Sequence, residues 1–75
     1  MKIKIDTFTG RVSCNDIVLN IWARKVPTRY RGVRWNARTK GVNMFSLNMR
    51  KPEMKKALAE WISKNPYVFE EAVYQ

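Results

Sequence analysis

Seventy-five residues set a ceiling of one domain, spanning 1–75, and a chain this short buries only about 60% of its unfolded surface. Three Trp, three Tyr, three Phe and four Met suffice for one compact core, but not for a core plus a deep substrate pocket. Fifteen Lys/Arg against six Asp/Glu give a net charge of +9 with no histidine, which removes Ser-His and Cys-His chemistry and favours acidic partners.

In chain order, Lys2 to Phe8 alternates, with Ile3 and Ile5 on one face, and reads as a strand; Thr9-Gly10-Arg11 is a turn signal. Asp16 to Arg24 has a β-branched run of period two. It puts Ile17, Leu19, Ile21 and Ala23 on one face and Val18, Asn20, Trp22 and Arg24 on the other, and Pro27 then breaks it. A hairpin follows, with strands over Tyr30–Asn36 and Val42–Met49 and a loop over residues 36–41. In the register we assign, Val33, Trp35, Phe45, Leu47 and Met49 face the core. Arg34, Asn36, Met44, Ser46, Asn48 and Arg50 then face outward, and a slip of one residue inverts both sets.

The spacing predicts a helix from Pro52 to about Lys64. Pro52 suits the first helical position and Glu53 the positive end of the helix dipole; Met54, Leu58, Trp61 and Ile62 form one apolar stripe. Asn65-Pro66 stops it. Val68, Phe69, Ala72 and Val73 then predict a second short helix over Tyr67–Tyr74, with a terminal strand as the alternative. The expected class is α+β: an antiparallel sheet of three or four strands packed on one C-terminal helix.

No enzyme is expected. One cysteine and six scattered acids give no metal-ligand spacing, and Gly10, Gly32 and Gly41 lie too far apart for a phosphate loop, so no catalytic residue, metal or cofactor is assigned. Cys14, without a disulfide partner in the chain or a histidine to activate it, is expected to be a neutral, buried thiol in a reducing compartment. The first residues contain no apolar leader and no apolar run reaches membrane length, so a cytoplasmic protein without a membrane role is expected.

Charge is concentrated in the middle of the chain. Residues 24–56 hold eleven bases against Glu53, whereas residues 57–75 hold Lys64 against Glu60, Glu70 and Glu71. Arg24, Arg29, Arg31, Arg34, Arg38, Lys40, Arg50 and Lys51 are interleaved with Tyr30, Trp35 and Phe45. Arginine's planar fork suits phosphates and guanine edges and stacks on aromatics, while Asn and Ser add base and phosphate contacts. The expected interface is therefore those eight bases with Asn36, Ser46 and Asn48, presented on the outward sheet face and hairpin. The competing reading is a solvated polar face with Trp22 covered by the N-terminal strand, and Trp35 is assigned to the core.

Tyr30-Arg31-Gly32-Val33-Arg34-Trp35-Asn36-Ala37-Arg38-Thr39-Lys40 resembles the first strand and turn of AP2-type DNA-binding domains. Trp35 through the helix, with Arg38-Thr39-Lys40, Phe45-Ser46-Leu47 and Arg50, is similar to the N-terminal arm-binding domains of phage tyrosine integrases. The resemblance covers about residues 16–64. It implies a three-stranded sheet, backed by a helix, set in the major groove of DNA, with Arg34, Asn36, Arg38, Ser46 and Asn48 as base-side positions. This chain departs from the AP2 order by having no strand between Met49 and the helix; the integrase-like order, with Asp16–Arg24 before the hairpin, fits better.

The function expected from these features is binding of double-stranded DNA by a small accessory or regulatory factor of phage or mobile-element type. RNA or single-stranded DNA binding, with Tyr30, Trp22 and Trp35 stacking on bases, is one alternative. A basic inhibitor or adaptor docking on an acidic protein surface, through a patch such as Tyr67, Phe69 and Tyr74, is another.

Overall fold

Two tight hairpins set the order of the sheet. Asn15-Asp16 and Lys40-Gly41 are both two-residue connections whose residues all have positive φ, at 51° and 66° and at 54° and 78°. That is the primed turn geometry whose twist matches a right-twisted strand pair, and Asn, Asp and Gly tolerate it best. A longer turn precedes them. Asp6 Oδ1 accepts the backbone N–H groups of Phe8 (2.8 Å) and Thr9 (2.9 Å), and the Gly10 N–H donates to Asp6 O at 2.9 Å. Gly10 is required there: its φ is 77° and a Cβ would overlap the Ala23 carbonyl oxygen.

The computed structural model describes residues 1–28 and 32–72. β1 (Ile3–Ile5), β2 (Arg11–Cys14), β3 (Ile17–Pro27), β4 (Val33–Thr39) and β5 (Val42–Asn43) form one antiparallel meander in sequence order, followed by α1 (Lys51–Lys64) and a 3-10 turn at Pro66–Phe69. The α+β class with its sheet packed on a C-terminal helix is the one the patterning predicts. The strand count is five, not three or four, because the four-residue β2 is too short to stand out in the sequence.

One face of the sheet packs under the helix. Val12, Cys14, Leu19, Ile21 and Ala37 are fully or almost fully buried, with Ile3 and Ala23 close behind, against Met54, Leu58 and Ile62, each 0% exposed. The predicted helix stripe is thus the helix's buried face, with Trp61 half-buried and its ring edge-on to Tyr67 at 6.4 Å. Asn65 ends the helix, its Nδ2 donating to Trp61 O at 2.8 Å. Burial pushes the Cys14 thiol up from its ordinary value, so it stays neutral.

Several local expectations are corrected. The first strand stops at Ile5, not Phe8, because Asp6 folds the chain back, and Phe8 stands 97% exposed. β3 runs three residues past Arg24, to Pro27, tolerable where proline is the last strand residue. Segment 42–49 is not one strand: only Val42–Asn43 pairs with β4, and Trp35 then bridges to Met49. Residues 44–48 loop out beside Asn36 and Ala37, which leaves Leu47 73% exposed and turns Met44 partly inward. The second helix is the 3-10 turn at Pro66–Phe69; its expected residues Val73 and Tyr74 lie outside the described residues.

Candidate nucleic-acid interface

Residues directly opposite in an antiparallel pair share a face, so the register assigns the outer surface of the sheet. Arg11 opposes Trp22 and Trp22 opposes Arg38; the next rows pair Arg24 with Asn36 and Val26 with Arg34. These alternate with the buried Ala23–Ala37 row and therefore point away from the helix. The structure thus brings Arg24, Arg34 and Arg38 together on one face, as expected. It adds Arg11, which belongs to β2 opposite Trp22 and not to the Thr9-Gly10-Arg11 turn that the sequence predicts. The signal for Arg11 lay in the alternation of Val12 and Cys14, which makes Arg11 and Ser13 outward.

Trp22 lies at the centre of this surface, 38% exposed. The Arg11 guanidinium sits 4.3 Å from its ring centroid, a cation–π contact, with Nε donating to Leu19 O (2.6 Å) and Nη2 to Asn20 Oδ1 (2.7 Å). Trp22 is therefore bracketed by arginines along its row, not hidden beneath the N-terminal strand. Arg38 belongs to β4, not to a hairpin loop; its Nη2 donates to Gly41 O at 2.7 Å and bridges the turn, while its Nε is buried without a partner. A shallow hollow of about 550 Å³ adjoins this row, lined among others by Lys4, Asp6, Arg11, Ser13, Val18 and Trp22.

No residue of β2, β3 or β4 is acidic. The acids nearest in the fold occupy turns and the C-terminal end: Asp16 pairs with Lys4 and Glu71 with Lys40, both at 3.5 Å and both exposed. Such exposed pairs contribute about 1 kcal/mol or less. Asp6 borders the hollow beside Arg11, but among the described residues no carboxylate forms an ion pair with Arg11, Arg24, Arg34 or Arg38.

Not every expected residue joins it. Asn36 has outward parity but is 3% exposed: its Nδ2 donates to Phe45 O (3.1 Å) and Asn48 Oδ1 (2.9 Å), and its Oδ1 accepts from the Ala37 N–H (2.8 Å). It ties down the 44–48 loop and is not a free base reader. Ser46 and Asn48 are exposed on that loop, not on a strand face, and Arg50 is the exposed residue at the helix start. Lys40 occupies the β4–β5 turn. Lys51 opens α1 beside Trp35, and Lys25, absent from the expected set, joins it there. Arg29 and Arg31 lie outside the described residues.

No known protein family, curated relative or solved structure matches the chain. Among the described residues no helix is long and apolar enough to cross a membrane.

Proposed function

We propose that this protein binds nucleic acid through the outer face of its sheet, with duplex DNA as the first ligand. The observation that supports this most is the acid-free surface of β2–β4, where Arg11 and Arg38 flank Trp22 and Arg24 and Arg34 follow along the same face. Segment 44–49 flanks β4 as far as the Trp35–Met49 bridge, and past the Lys25–Trp35 row β3 and β4 project as a short two-stranded ribbon that carries Arg34, with Arg24 at its base. A two-stranded ribbon fits the major groove, about 12 Å wide. Phosphate contacts from the arginines supply affinity and register, as they do generally in protein–DNA recognition.

One feature favours single-stranded DNA or RNA as a second reading: an exposed tryptophan among arginines is also a stacking platform for unpaired bases. Fluorescence anisotropy on labelled duplex DNA, single-stranded DNA and RNA, titrated over salt, separates the two. The expected result is duplex binding whose salt slope falls by about 0.9 for each phosphate contact removed when Arg24 and Arg34 are replaced by Gln. Single-strand preference with quenching of Trp22 would select the second reading. Failure to bind any of the three near physiological salt would overturn both and leave an acidic protein surface as the partner.

A further inference from the structure

The inner face of the sheet runs out from under the helix two residues beyond Ala23. Ala23 is 6% exposed, whereas Lys25 is exposed and its cross-strand partner Trp35 only half-buried. Helix α1 begins beside them with Lys51. The β1–β2 turn closes the other side and carries Phe8, 97% exposed. Between them lies a notch of about 390 Å³ whose lining includes Asp6, Phe8, Ala23, Lys25, Trp35 and Lys51.

Two ammonium groups converge on one ring in this notch. Lys25 Nζ lies 5.6 Å and Lys51 Nζ 5.1 Å from the Trp35 ring centroid. Among the described residues neither lysine has a carboxylate partner. A ring attracts each cation weakly at exposed sites, while the two cations repel one another. An anion between them removes the repulsion and gains charge-assisted hydrogen bonds. Asp6 carries the one opposing charge, and its Oδ1 already accepts two backbone N–H groups of the turn.

An exposed phenylalanine on an ordered turn and an incompletely covered tryptophan both line the notch, which adds a second requirement: the ligand has an aromatic ring. We propose that this notch is a separate site for a nucleoside monophosphate group, its base held by Trp35 and Phe8 and its phosphate by Lys25 and Lys51. The volume is at the lower end of small-ligand pockets, which suits one nucleotide and not a longer segment. The group is supplied by a free mononucleotide or by an unpaired nucleotide of a strand. The site stands apart from the outer face and does not depend on the reading given to that face.

The test is ¹H–¹⁵N NMR on the intact protein, following the indole N–H signals of Trp35 and Trp22 while adenosine monophosphate, adenosine, inorganic phosphate or a short oligoadenylate is added. Adenosine monophosphate is expected to shift Trp35 and leave Trp22 unmoved, with saturation at lower concentration than either adenosine or phosphate. Lys25→Gln with Lys51→Gln should weaken it about tenfold or more. Phe8→Ser, at a residue too exposed to matter for folding, should weaken it several-fold. A Trp35 response to the oligoadenylate alone assigns the site to a nucleotide within a strand. Equal responses to phosphate and adenosine monophosphate, shifts centred on Trp22, or full binding by both variants would overturn the proposal.

Discussion

The two faces of this sheet use the same strands for different ends. On the inner face Leu19, Ile21 and Ala37 meet Met54, Leu58 and Ile62, and almost no surface is left to water. On the outer face, one residue along each strand, Trp22 is joined by Arg24, Arg34 and Arg38, which among the described residues have no carboxylate partner. The difference teaches that burial, not strand membership, decides what a substitution does here. Inner-face changes should act on stability, and outer-face changes on binding.

The sharpest way to break that comparison is to remove a side chain from the inner layer. Leu58→Ala empties a site that is 0% exposed and should cost about 2–5 kcal/mol, lowering Tm by roughly 10 °C or more in a domain of this size. Thermal unfolding followed by circular dichroism measures it. A loss below about 1 kcal/mol would mean that the helix is not packed on the sheet as described.

Asn36 sharpens the comparison because it crosses it. By parity it belongs to the binding face, yet it is buried and holds Phe45 O and Asn48 Oδ1. Asn36→Ala should therefore destabilise by about 1–3 kcal/mol, the cost of leaving buried polar groups without partners. Denaturant unfolding checks this. An unchanged midpoint, with nucleic-acid binding weakened, would return Asn36 to the set of direct contacts.

This residue also shows where sequence reading stops. Period-two alternation placed Leu19, Ile21 and Ala23 inward and Trp22 and Arg24 outward, because one face of a continuous strand must be apolar when it lies under a helix. The same logic found Met54, Leu58 and Ile62. It also assigned the parity of Arg34, Trp35 and Asn36. It could not say that residues 44–48 would leave the β4 edge and fold over Asn36, since that depends on a side-chain amide finding acceptors nine and twelve residues away. Arg38 was misplaced for a related reason: Gly41 marked a turn, but the turn's length came from the positive φ of Lys40, a residue with no turn preference of its own. The notch around Trp35 was illegible, because Phe8, Lys25 and Lys51 meet only through the sheet's order and the helix's starting point.

Arg38 separates the two roles on the outer face itself. Its Nε is buried without a partner, so Arg38→Met removes an unsatisfied donor as well as the bond to Gly41 O. The two effects oppose each other, and stability should change by less than about 1 kcal/mol. Duplex affinity should fall, with a salt slope smaller by about 0.9. Matched melting curves and anisotropy titrations give both readings. Lost stability with an unaltered slope would reassign Arg38 to the scaffold.

The smallest expected effect comes from Asp6, which borders both the outer hollow and the Trp35 notch and orders the turn that presents Phe8. The backbone N–H groups of Thr9 and Phe8, donating to its carboxylate, hold its pKa below the ordinary value. A depressed folded-state pKa means that the ionised form stabilises the turn. That contribution is complete above the unfolded carboxylate's pKa and fades as pH falls through the lower folded value. The Phe8 and Thr9 amide signals should therefore hold steady from neutral pH down through the ordinary carboxylate range and move together only below it. Titration of those signals at the ordinary aspartate value would show that the turn is not held in solution. Asp6→Asn, which keeps an acceptor oxygen without the charge, should abolish the transition while leaving the Phe8 turn largely in place.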